Sequence, residues 1–215
     1  MSDYIVIYGI MLFVKVKLDN CRMILPGHRV ADGELSFEKG IITEIVEKPC
    51  VPDKVIIPGL VNCHGHTAMT LVRGLGSGLP LQRWLEEAIF PVEAKMTRDD
   101  VRAGVVWGVM EMLAGGTTAL ADMYDFPDVA AQVFEESRIK ANVCRVGLNF
   151  VDGRLAECAE FVRSHANAQH VLADVCVHSE YLTDEKFCRE LAAATRECAR
   201  PLHVHVSETK REHDE

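Results

Sequence analysis

Residues 54–67 read KVIIPGLVNCHGHT, and the rest of the chain takes its meaning from them. Lys54 to Asn62 is apolar enough for a buried strand, in spite of Pro58. His64 and His66 stand two residues apart at its end. An extended backbone points both imidazoles to one face, about 6–7 Å apart along the strand. Gly65 leaves room on the other side, and neutral imidazole suits zinc, iron and similar ions.

Outward from this stretch, strand and helix alternate. Thr117 to Met123, Asn142 to Phe150, Val171 to His178 and Pro201 to Ser207 read as four more strands. Thr97 caps a helix with Asp99 and Asp100 in its first turn. Val101, Val105, Val109 and Met112 share a face of that helix, and Gly115-Gly116 stops it. Pro127 suits the first turn of the next helix, and Arg154 to Ala166 forms another. Thr183, Asp184 and Glu185 open the last, with Phe187, Leu191, Ala194 and Cys198 as its apolar face. Alternation of this kind predicts an α/β fold with a parallel sheet and right-handed crossovers. Closure is either an open doubly wound sheet or five-eighths of a (β/α)8 barrel. No dinucleotide fingerprint follows the first strand. Gly74-Leu75-Gly76-Ser77-Gly78 lacks the lysine and the preceding strand of a P-loop, and reads as a mobile loop.

Residues 1–56 have a different character, that of a small β-module. Tyr4 to Leu18 is apolar and β-branched, and Gly33 to Val46 is a strand pair turning at Lys39-Gly40. The division expected is a β-module over 1–56 and a barrel-type domain over 57–215.

Composition excludes several classes. The 215 residues carry a net charge of -9, which repels phosphate backbones, and no basic patch offsets it, so nucleic acid is not an expected partner. Hydrophobic residues make up 48%, enough for a packed core. The start, MSDYIVIYGI, lacks the features of a signal peptide, and Ile5 to Val14 is too short to span a bilayer. A cytoplasmic chain with reduced thiols is expected. The eight cysteines form no C-x-x-C pair, and Cys144, Cys176 and Cys198 read as small buried hydrophobes.

Two further histidine groups end strands. His203-Val204-His205-Val206-Ser207-Glu208 puts two imidazoles on one face, with Glu208 in the following loop. A carboxylate there can move protons between a metal-activated water and a substrate. His203 reads as a core histidine. His178 ends the fourth barrel-type strand. Histidines at the same end of three strands fall where barrel sites are built. His28, His165, His170 and His213 receive no role.

Pro58-Gly59-Leu60-Val61-Asn62-Cys63-His64-Gly65-His66-Thr67 resembles the PGLVNxHxH signature of the amidohydrolase superfamily. Met69 to Gly74, Leu79 to Leu85, Phe90 to Lys95, Gly115 to Thr118, Asp122-Met123-Tyr124, His178-Ser179 and His205 to Thr209 continue the likeness. Together they resemble the 5-methylthioadenosine/S-adenosylhomocysteine deaminases of the chlorohydrolase (TRZ/ATZ) branch, from about Val55 onward. The resemblance implies a (β/α)8 TIM barrel beside a β-sandwich made from both chain ends. It also implies one divalent metal, Zn2+ first, with Fe2+ or Mn2+ also fitting the donor set. Carried over, it makes His64, His66 and His205 metal ligands and Glu208 the proton-shuttling catalytic acid. It places His178 against the substrate and Glu93 on the ribose hydroxyls, with Arg145 and Arg154 at the substrate pocket. Trp84 is either pocket wall or core. The implied reaction is hydrolytic deamination of a small-molecule adenine nucleoside, with activated water attacking C6 and Glu208 protonating the ring nitrogen.

The chain departs from that pattern in three places. Glu180 stands where proline is usual after His178-Ser179, and Lys15 to Val30 is off-pattern. The likeness also calls for a histidine from a sixth strand and an aspartate from an eighth, and the sequence stops at Glu215, so an N-terminal piece of the enzyme, inactive by itself, is expected. Three readings stay open: the nucleoside deaminase, an amidohydrolase of another heterocycle (a guanine-type deaminase or chlorotriazine hydrolase), and a catalytically incomplete fragment. Exposed strand edges predict a homo-oligomer.

Overall fold

The computed structural model describes residues 15–214. Most of the apolar run Tyr4 to Leu18 lies outside the described residues, and its end enters the first strand. Two compact units divide at Leu60.

The first unit is a four-stranded sheet. β1 (Val16–Leu25) pairs antiparallel with β2 (Arg29–Glu38), which pairs antiparallel with β3 (Ile41–Glu47); β4 (Lys54–Ile56) lies parallel to β1 on its other side. The expected turn at Lys39-Gly40 joins β2 to β3, with φ of 53° and 77°, the left-handed pair of a tight hairpin. β1 carries a bulge between Leu18 and Cys21, with Asn20 at φ 55°. Beyond it Cys21 and Met23 bury one face against Leu35 and Phe37 of β2.

Residues 54–62 are not one strand. β4 ends at Ile56, and β5 (Leu60–Gly65) begins a second sheet. Pro58 has no N–H to give a ladder, so the apolar run breaks there. The second unit then follows the alternation: β6 (Thr117–Met123), β7 (Lys140–Gly147), β8 (Val171–Val177) and the short β9 (Leu202–Val204). Spatial order equals chain order, and β6 to β9 pair in parallel.

Between β5 and β6 the chain makes a 3-10 turn over Thr67–Val72, then α1 (Leu81–Trp84), a π turn (Leu85–Ile89) and α2 (Phe90–Glu93). α3 (Arg98–Ala114) starts at a reciprocal cap in which Thr97 and Asp100 bond each other's backbone N–H. α4 (Pro127–Ser137) has proline at its first position. α5 (Arg154–Ser164) follows β7, and α6 (Glu185–Glu197) is capped by Asp184, which accepts from Phe187 N at 2.8 Å. A further short helix not expected from the sequence, α7 (Lys210–Asp214), closes the described chain behind a Thr209/Glu212 cap.

The period of two along each strand sorts side chains into layers. Leu120, Ala141, Val143, Val171 and Ala173 pack against α3 and α4, where Phe134 is wholly buried. Burial of such a ring contributes about 1.5–3 kcal/mol. Met123, Cys144, Val146 and Cys176 form the opposite face. A doubly wound sheet reverses strand order partway; here the order never reverses. The architecture is that of five consecutive units of a (β/α)8 barrel. All eight cysteines are free thiols, Cys144 and Cys176 fully buried. Among the described residues no helix is long and apolar enough to cross a membrane.

Candidate metal and active site

Three of the expected ligands converge where the strands end. His64 lies in β5, His66 one residue beyond it, and His205 one residue beyond β9. Ring centroids are 4.9 Å apart for His64–His66, 4.8 Å for His64–His205 and 5.4 Å for His66–His205. One ring nitrogen from each lies within 4.8 Å of the others, and Nε2 of His64 and of His205 are 3.1 Å apart. Tetrahedral zinc bonded at about 2.0–2.1 Å separates its ligands by roughly 3.4 Å; the His64–His205 pair is near that spacing, and small side-chain shifts bring the wider-spaced nitrogens onto one ion.

Main-chain carbonyls decide which nitrogen each ring presents. His66 donates Nδ1–H to the carbonyl of Met123, the last residue of β6. His205 donates Nδ1–H to the carbonyl of His178 at 2.7 Å. Both rings therefore turn Nε2, as a lone-pair donor, toward the point between the histidines, the arrangement metal-bound histidines require. Burial, helped by the neighbouring imidazoles, holds His64 and His66 below the usual histidine range and so neutral.

The turn after His66 is anchored twice. Asp122 Oδ1 accepts from Thr67 N at 2.7 Å and from Thr67 Oγ1. On the other side α3 presents Gly104 and Gly108, where a Cβ would come within 2.5 Å of Ala68 O and of Thr67 Cγ2. Only a bare backbone lets the helix approach this closely. Asp122 is fully buried and its Oδ2 has no partner, which pushes its carboxyl up to about 6.

The other expected residues fall in three places. His178, one residue past β8, sits 5.3 Å from His205 ring to ring, and burial pushes it down to about 4. Ser179 beside it is buried, while Glu180, in the usual proline position, is exposed. Glu93, at the end of α2, accepts from Tyr124 Oη at 2.6 Å, and the Tyr124 ring lies 6.4 Å from that of His66. Glu208 is exposed in the loop between β9 and α7, near enough for its charge to act on both His64 and His66. Arg145 and Arg154 are not brought to the histidines: both pair with Glu157 of α5, and Arg154 also donates to Val146 O at 3.2 Å. Trp84 donates to Leu75 O at 2.8 Å and walls a cleft of about 510 Å³ with His66, Thr67, Arg73 and Glu111.

His203 is half-buried and is held by Asp174 instead of joining the three histidines. Its Nε2 bonds Asp174 Oδ2 at 2.9 Å, Arg200 takes the other oxygen at 2.6 Å, and the pairing raises His203 to about 10. The sequence reading placed Asp122-Met123-Tyr124 in the family likeness but gave none of the three a role in the site. Their place at the end of β6, level with His64 and His66, was the available signal.

The comparisons with known proteins agree with this geometry. The chain is 35% identical over 211 residues to a 5-methylthioadenosine/S-adenosylhomocysteine deaminase of Dictyoglomus turgidum, covering 91% of this chain and 49% of the relative. A deaminase of the same name from Desulforudis audaxviator is 42% identical over 163 residues, covering 74% of this chain and 38% of the relative. The chain thus spans half or less of the curated relatives it matches. Among solved structures, a zinc-bound adenosine deaminase from Xanthomonas campestris superposes with a TM-score of 0.81 at 26% identity, over 93% of this chain and 50% of that one. The amidohydrolase family model matches residues 55–215, the whole barrel-type unit with its histidines. With strand-end histidines, carbonyl-oriented rings and this match together, the chain belongs to the amidohydrolase family.

Proposed function

We propose that the chain carries the metal- and nucleoside-binding part of a hydrolytic deaminase of adenine nucleosides, of the 5-methylthioadenosine/S-adenosylhomocysteine class. The observation that carries it is the convergence of His64, His66 and His205 on one point, with Glu93 linked to the same strand end through Tyr124. Zinc, one ion, is the metal we assign. When bound, such an ion lowers the pKa of water to about 7 and so supplies the nucleophile.

The protein's own groups do the rest. Glu208 takes a proton from the water and gives one to the ring nitrogen of the base, a transfer worth about 10²–10⁴ in rate. His178, held neutral, faces the reacting carbon and orients the leaving amine. Glu93 accepts the vicinal hydroxyls of the ribose. Arg145 and Arg154 are assigned to the substrate pocket on the resemblance alone. The test is ammonia release by the zinc-loaded full-length protein from 5-methylthioadenosine, S-adenosylhomocysteine, guanine and a chlorinated triazine. Turnover of the nucleosides above the other two is expected. Preference for guanine or chloride release from the triazine would replace this reading with the other heterocycle hydrolases.

A further inference from the structure

We infer that Tyr124 is a positioning residue for the sugar: its phenol fixes the Glu93 carboxylate so that one oxygen is held and the other is presented to the ribose. The inference rests on the assignment of Glu93 to the ribose hydroxyls.

Three consecutive residues at the end of β6 each hold a different part of the site. Asp122 grips Thr67, the Met123 carbonyl orients His66, and Tyr124 reaches Glu93. The metal point and the sugar carboxylate, which come from β5 and α2, are thus referenced to one rigid strand end. Tyr124 is 9% exposed and packs in the core with Val101, Val105 and Val129. Packing in that cluster restrains the ring, and of the two acceptors near its hydroxyl the Glu93 carboxylate at 2.6 Å is closer than Met96 Sδ at 3.6 Å. Among the described residues Glu93 Oε1 takes that donor at 2.6 Å and Oε2 accepts no hydrogen bond. Burial raises the Glu93 carboxyl above its ordinary value, and the hydrogen bond from the phenol opposes that rise. A purely structural tyrosine would be satisfied by any backbone carbonyl; this one is spent on a half-buried carboxylate.

The test is equilibrium binding by calorimetry to the zinc-loaded full-length protein, every form carrying Glu208→Gln so that no turnover is involved. The probes are 5-methylthioadenosine and the analogue lacking both 2′- and 3′-hydroxyls. Tyr124→Phe keeps the ring and removes only the donor. It is expected to weaken the riboside about tenfold, the scale of one charge-assisted hydrogen bond, and to leave the dideoxy analogue within twofold. In Glu93→Ala the same tyrosine change should have no further effect on the riboside, because its target is gone. Thermal melts check that each variant is folded. If Glu93→Ala binds the riboside and its analogue with unchanged discrimination, the sugar assignment falls and this inference with it. If Glu93→Ala loses discrimination but Tyr124→Phe does not, or if the two losses add, Tyr124 is only a core residue and the sugar assignment stands.

Discussion

A histidine becomes a ligand only when one nitrogen is tied and the other is free, and at His66 and His205 backbone carbonyls do the tying. That separates two kinds of variant. In the full-length protein, replacing His64 and His66 together with Ala should abolish stoichiometric zinc by elemental analysis. In the full-length protein Glu208→Gln should keep the metal and lose about 10²–10⁴ in turnover, the scale of a proton shuttle that stands in the loop past the histidines. Metal lost in the second variant, or kept in the first, would reverse these roles. Asp122 gives a pH signature. Its carboxyl is raised from 3.8 to about 6, so its stabilising contribution is complete below the unfolded value and is lost as pH rises through 6. The loss is on the order of 3 kcal/mol. Asp122→Asn can still accept from Thr67 but does not titrate. Urea unfolding at pH 4, 5.5 and 7 should show a steeper fall for the native protein than for the variant; parallel curves would place the titration elsewhere.

Among elements, the contact of α3 with the turn Thr67–Val72 decides where His66 stands. Alanine favours a helix interior by about 1 kcal/mol over glycine. At Gly104 that gain is overridden, because the new Cβ would meet Ala68 O at 2.5 Å and nothing there is a flexible side chain. Gly104→Ala should cost about 1–3 kcal/mol and weaken zinc binding, read by urea unfolding and metal titration. Gly115→Ala, whose Cβ meets nothing closer than 3.4 Å, is the control and should do neither. These elements also show where reading the sequence stops. The strands at Thr117, Asn142 and Val171 were legible because apolar runs between helix caps have few other solutions. The i, i+2 spacing made His64 and His66 legible as a pair. The break at Pro58 was not, since one apolar run gives no sign that its halves serve two sheets. Gly104 and Gly108 were silent because a missing side chain leaves no apolar pattern, and Asp122 because its partner lies 55 residues away.

At the scale of the whole molecule, the family match covers 55–215, and the site belongs entirely to the barrel-type unit. Its sheet runs β5 to β9 with both end strands unpaired on their outer sides among the described residues. Val61, Val204 and Val206 are 63%, 43% and 57% exposed there. Open edges with apolar side chains recruit other chains. The 215-residue chain should therefore associate as its concentration rises, by sedimentation velocity, and Val204→Lys should reduce it; a monomer throughout would mean these edges are protected. The orienting carbonyls at Met123 and His178 carry a last consequence, for heredity. Every residue type supplies the same carbonyl, so no side-chain exchange at those positions can delete the acceptor. A saturation scan would pass over it, and the lineage is free, in this respect, to rewrite the letters. What it cannot do is insert or remove one residue in β6 or β8, because a frame shifted by one points each carbonyl to the opposite side and releases the imidazole it held.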